Sequence, residues 1–312
     1  MDGALIAVRA VHFGACVLLA GEFAFVLLVA GRRGLARVPG LARRLRKVSV
    51  LAWLAALVSG ASWIVLEAAN MSGTAVARAV ADGAIRIVVG QTSFGHVFAW
   101  RALVMLALIG VLAWLALARR ESARHALRIA ALALGVVTLA TLAFVGHAAA
   151  AGHGAIHLVH SAADMLHLLA AGGWVGALPA LVYCLAQPLG AAELARLTLR
   201  FSTLGFVCVL VLAASGAVNA LFLVGSFAAL AGTAYGRVLL AKLGVFALML
   251  GLAALNRRRL TPRLVGGEVA AAATLRRSAL MEIACGVAVI VLVGALGVIA
   301  PANHALHAAH GG

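Results

Sequence analysis

Four side chains in one apolar stretch of this 312-residue chain carry its densest chemistry. His157, His160, Asp164 and His167 stand at offsets of 0, 3, 7 and 10, which keeps them on one stripe of a helix with 3.6 residues per turn. At 1.5 Å per residue, His167 lies about 15 Å deeper than His157. Such a ladder holds a cation at depth or passes one inward; the alternative is that the same groups only bond across helices. His12 and Cys16 are one turn apart and face one point. His96, His147 and His153 join His157 at the mouth of the site. Imidazole and thiolate suit copper, zinc, iron or nickel, whereas magnesium or calcium would want oxygen donors that are scarce here. Softness favours copper, as Cu(I) or Cu(II), with Met71 and Met165 as further soft donors.

Other polar groups lie at similar depth: Glu67, Arg101, Asn219 and Lys242. Ionisable groups inside apolar spans are costly and usually face a bundle interior. Arg101 and Lys242 are therefore expected to pair with Asp164 or Glu67 rather than to ligate an ion. Glu22 and Glu282 fall toward the opposite end, where they could form an exit or inner gate. Histidines facing each other from two helices also hold haem iron. A membrane haem protein or quinone-linked electron carrier, with His12, His96, His147, His160 and His167 as candidates, is thus the alternative reading. No Walker motif, HExxH or GxSxG is present, so nothing argues for a hydrolytic enzyme.

The elements that position these groups follow from composition. Hydrophobic residues make up 65% of the chain and charged residues 11%, with a mean hydropathy of +1.11, far outside the range of a soluble domain. A span needs about 20 mostly apolar residues, and eight such stretches run over 4–30, 48–70, 95–118, 129–147, 157–184, 201–223, 236–255 and 278–300. The expected fold is an all-α polytopic bundle, one membrane domain over 1–300 with a tail over 301–312. The tail carries His304, His307 and His310, a compositional hint of metal collection. The first stretch lacks a basic start and holds His12, Cys16 and Glu22, so it reads as a retained helix rather than a signal peptide. Gly172, Gly173 and Gly176 thin the fifth helix for a neighbouring helix or a ligand, and Pro179 is expected to kink it.

Charge sets the orientation. Most of the 25 basic residues fall in the loops after the first, third, fifth and seventh spans, including Arg43, Arg44, Lys47, Arg119, Arg120, Arg196 and Arg257 to Arg259. Lys and Arg in short loops stay cytoplasmic, so both termini are expected outside the cytoplasm. The formal net charge of +16 then reflects topology in a lipid environment and needs no nucleic acid. Of the 11 histidines, His125 alone falls in a cytoplasmic loop, so the site opens outward. Cys16, Cys184, Cys208 and Cys285 lie in or at the ends of spans without a CxxC pair, and no disulfide framework follows.

The stretch 166–178, with His167, Gly173, Trp174 and Gly176, resembles the core helix of the copper resistance protein D (CopD) family. Ser215-Gly216 with Asn219, then Thr233, Tyr235, Gly236, Arg237 and Lys242, then Asn256-Arg257-Arg258, is similar in order and spacing to the C-terminal half of that family. The resemblance covers mainly 160–265. It implies a bacterial inner-membrane protein of copper homeostasis that imports copper from periplasm to cytoplasm, supplied by a separate periplasmic CopC-like donor. His167, Trp174, Asn219, Tyr235, Arg237 and Lys242 are carried over as motif positions. A further alternative is an accessory protein that docks such a donor without transport.

Overall fold

The computed structural model describes residues 1–145, 154–224 and 226–302. Among these residues there is no strand, and eight helices are long and apolar enough to cross a membrane. They are α1 (Asp2–Arg37), α2 (Leu41–Ser72), α3 (Ser93–Leu117), α4 (Glu121–Phe144), α5 (Ala155–Leu185), α6 (Ala191–Leu223), α7 (Ala234–Val265) and α8 (Ala271–Leu296). Each coincides with one expected span. Several run further at the arginine-rich end of the bundle, because Arg43, Arg44, Arg46 and Lys47, and likewise Arg196 and Arg200, are good helix formers that carry the helix beyond its apolar stretch.

α1 is the hub. In its most apolar window 78% of residues are buried, against 6% in α7, and it packs on α2, α4, α5 and α8. Lipid gives apolar helices no hydrophobic reason to associate, so close approach and dispersion must hold them. The crossing of α1 and α5 shows how. A Cβ on Gly21 would strike the backbone of Gly176 and of Gly172, and a Cβ on Gly176 would strike the Val17 carbonyl. The glycine-rich patch of α5 thus accepts a neighbouring helix.

Two helices carry π-type turns, Phe25–Ala30 in α1 and Asn256–Leu260 in α7. Such turns disturb the i→i−4 ladder. Arg200 donates to the Val29 carbonyl at 3.1 Å and Arg196 to that of Ala30 at 3.3 Å, so α6 clamps the first of these turns. α5 is interrupted at Val175–Ala177 and resumes at Leu178, with Pro179 in the first turn of the new segment. The kink expected from Pro179 is present. Its ring excludes an ordinary bond to the Val175 carbonyl, and the break falls there.

At the arginine-rich end, Arg44 meets Glu22 at 2.6 Å, with the Glu22 side chain 1% exposed, while Arg263 donates to both oxygens of Glu268 at 2.8 and 2.5 Å. The latter pair lies in the link between α7 and α8 and holds the Glu268 carboxyl below its ordinary range. The opposite end carries short helices that lead into α3 and α7, Ala84–Gln91 and Phe227–Gly232.

Candidate functional site

α1 brings His12 and Cys16 to one point, and a guanidinium occupies that point. Arg101 of α3 approaches His12 Nε2 at 2.7 Å and Cys16 Sγ at 3.5 Å through the same Nη2. Its Nη1 donates to the Thr138 carbonyl at 2.5 Å and to Thr141 Oγ1 at 2.6 Å. Arg101 therefore does not pair with Asp164 or Glu67, as its charge had suggested. α4 offers a carbonyl and a hydroxyl within reach, and α1 an imidazole lone pair, so a carboxylate partner is unnecessary. The other ring nitrogen of His12 lies 3.0 Å from both the Ala56 carbonyl and Ser59 Oγ. Since Nε2 must accept from Arg101, Nδ1 carries the proton and donates to α2. Both nitrogens of this buried ring are engaged.

Next to it the sequence held an unrecognised residue, Arg9. It is one turn from His12, 8% exposed, with its guanidinium 4.6 Å from the centre of the Trp63 ring and Glu67 as its electrostatic neighbour. Its sequence signal was a cation inside an apolar run three residues before His12. Trp63 meets His12 edge-on and Phe98 lies tilted against it, while Phe94 packs on both of those rings.

The α5 stripe forms a second group. His160 is buried and stacks on Phe222 of α6 at 4.7 Å between centroids. Asp164 accepts from Asn219 Nδ2 at 3.3 Å, and His167 Nδ1 lies 3.1 Å from Ser215 Oγ. Lys242 of α7 acts electrostatically on both Asp164 and His167. No ion pair within 4.0 Å joins Asp164 to a cation among the described residues. His157 is half-buried, its Nδ1 without a hydrogen-bond partner. Among the described residues no three His, Cys, Asp or Glu side chains converge as a metal-holding cluster. Each station offers one or two donors.

The remaining candidates scatter. His96 is exposed and its Nε2 lies 3.1 Å from the Gly90 carbonyl, at the start of α3. Arg237 is exposed and Tyr235 buried, both in the first turn of α7. Met71 is exposed and Met165 packs against the core. His147, His153, His304, His307 and His310 lie outside the described residues.

At the arginine-rich end the two expected gate carboxylates have separate settings. Glu22 is held by Arg44. Glu282 of α8 accepts from Asn256 Nδ2 at 2.6 Å and lines a cavity of about 290 Å³ between α5, α6, α7 and α8. Trp174, Thr198 and Asn256 share that lining. Thr198 Oγ1 and Asn256 Oδ1 are buried there without protein partners, a polar setting roomy enough for water. Asn256 was legible as a position of the family motif, and Thr198 only as a polar residue near a helix end.

Comparison with known proteins identifies the family. Residues 1–158 match the family model described as copper resistance protein D-like, N-terminal domain, and residues 195–296 match that of copper resistance protein D. Copper resistance protein D of Pseudomonas syringae pv. tomato is 35% identical over 311 residues, covering 96% of this chain and 97% of that protein. Inner membrane protein YebZ of Escherichia coli (strain K12) is 28% identical over 298 residues, covering 95% and 98%. Copper transport protein CutJ of Bacillus subtilis (strain 168) is 38% identical over 117 residues, 36% of this chain and 21% of that protein. No solved structure matches. With an N-terminal family model spanning half its length and a relative aligned almost end to end, the chain belongs to the copper resistance protein D family.

Proposed function

We propose that this chain conducts copper ions across the bacterial inner membrane, from periplasm to cytoplasm, along the α5 stripe. One observation carries the reading: Asp164 sits between His160 and His167 inside an apolar bundle, bonded to a neutral Asn219 and, among the described residues, in no ion pair within 4.0 Å. Conduction requires sites favourable enough to enter and weak enough to leave. Stepped stations of one or two donors meet that requirement better than a closed three-ligand trap. The arginine-rich end faces the cytoplasm in this reading, so both termini and the histidine-bearing end are periplasmic. A separate CopC-like donor would deliver the ion at the mouth, near His96 and His157. The cavity beside Glu282 and Asn256 serves as the inner exit, where water rehydrates the ion. The names of the CutJ and YebZ relatives, one a copper transport protein and one an inner membrane protein, support both cargo and location. The chain is a permease in this account and not an enzyme.

Copper content of cells expressing wild-type protein, an empty vector or His160→Ala/His167→Ala, at matched membrane expression, tests it. The wild type should raise copper content and the variant should not. Unchanged or lowered copper with the wild type would refute import.

A further inference from the structure

The centres on α1 and α5 are built to one plan. His12 Nδ1 meets Ser59 Oγ at 3.0 Å, and His167 Nδ1 meets Ser215 Oγ at 3.1 Å. Each serine also donates to the carbonyl four residues back, Ala55 at 2.5 Å and Val211 at 2.6 Å. Each is followed by a glycine whose absent Cβ makes room for the imidazole, Gly60 against His12 and Gly216 against His167. The third helix of each set starts alike. Thr92 and Thr233 cap α3 and α7, each accepting from the glycine three residues on at 3.0 Å, and nine residues after each threonine stands a cation, Arg101 in contact with His12 at 2.7 Å or Lys242 acting electrostatically on His167.

The packing repeats too. Gly176 stands as far beyond His167 as Gly21 stands beyond His12, and these two glycines meet each other at the α1–α5 crossing. Contact between equivalent positions is what a two-fold axis produces. Gly135 of α4 abuts Ala20, and Gly286 of α8 abuts Val175, the position equivalent to Ala20. Spans of the same direction correspond, α1 to α5 through α4 to α8. The axis therefore runs along the membrane normal, the parallel-repeat arrangement known from transporters.

The replicas differ where charge matters. At the place of Asp164 the first half has Arg9, and at the place of His160 it has Leu5. Arg101 is pinned by Thr138 and Thr141, whereas α8 has Val289 and Leu292 at the matching positions, leaving Lys242 without that hydroxyl. Arginine is a fixed, permanently charged fork; lysine is a point charge on a flexible stem.

We infer that the chain is a tandem repeat of two four-helix halves holding equivalent histidine–serine–cation centres, of which only the second, His167 with Asp164, takes the metal cation. In the first half the Arg101 guanidinium permanently fills the cation's place. In the second, Lys242 is a tethered cation that moves aside when the metal enters, and so competes with it. This rests on the copper reading and names which centre serves it.

The test is Cu(I) binding to the full chain in lipid nanodiscs under reducing conditions, read by metal analysis, competition titration and X-ray absorption. One copper per chain with a nitrogen and oxygen shell is expected, since the second centre has Ala171 where the first has Cys16. His167→Gln and Asp164→Asn should weaken binding about tenfold or more, and Lys242→Leu should tighten it about tenfold by removing a like charge. A gain of affinity cannot arise from misfolding. A sulfur shell that vanishes in Cys16→Ser, or Lys242→Leu binding no tighter than wild type, overturns the inference while leaving the copper reading intact. Wild-type protein that binds no copper overturns both.

Discussion

Gly176→Ala adds one methyl group at the point where α1 and α5 touch backbone to backbone. The new Cβ would overlap the Val17 carbonyl oxygen and come within 2.6 Å of the Gly172 oxygen, well inside van der Waals contact, and no side chain stands between that could rotate away. One of the two helices must shift, which disturbs the hub of the bundle. Overpacking costs about 1–3 kcal/mol where neighbours can adapt, and a backbone-to-backbone clash puts this variant at or above about 3 kcal/mol. Gly173→Ala is the built-in control, because its Cβ would meet Cys208 Sγ at 2.9 Å, the end of a side chain with a free χ1. That variant should lose less than about 1 kcal/mol. At about 2 °C per kcal/mol for a chain of this size, melting in detergent followed by size-exclusion fluorescence should separate the two by roughly 5 °C. Equal melting temperatures would refute the crossing, and with it the axis that relates the two halves.

Arg44→Met strands the buried Glu22 carboxylate and should destabilise the chain by about 3–5 kcal/mol; adding Glu22→Gln should recover part of the loss, and strictly additive losses in thermal melts would count against a coupled pair. Thr92→Ala and Thr233→Ala each remove one helix cap and should each cost about 1 kcal/mol, measured by the same melts; a neutral Thr233→Ala would contradict the matched starts of α3 and α7. Lys242→Arg should slow copper uptake by cells, because a fixed fork replaces a mobile ammonium beside Asp164; uptake unchanged from wild type would argue against Lys242 as a competing cation.

The eight spans were legible because about 20 consecutive apolar residues have few other uses, and the kink near Pro179 because a missing N–H cannot be hidden. The Asp164–Asn219 and His167–Ser215 bonds were half legible: the stripe follows from helical spacing, but the partners on α6 lie 55 and 48 residues away and depend on packing. Arg101 was misread for a related reason. Its charge suggested a carboxylate, and only the approach of α4 shows that Thr138 and Thr141 take its protons. The matched serine–glycine pairs on α2 and α6 were present in the sequence. Short motifs separated by unequal intervals do not announce a repeat until the fold aligns them.

The central claim is movement of copper through the α5 stripe, and proteoliposomes test it most directly. Purified chain of defined orientation, with a Cu(I)-sensitive dye inside, should give copper entry from the histidine-bearing face, lost in Asp164→Asn and His167→Gln at equal incorporation. Copper entry that is equally fast in empty liposomes, or unaffected by both substitutions, would contradict the account.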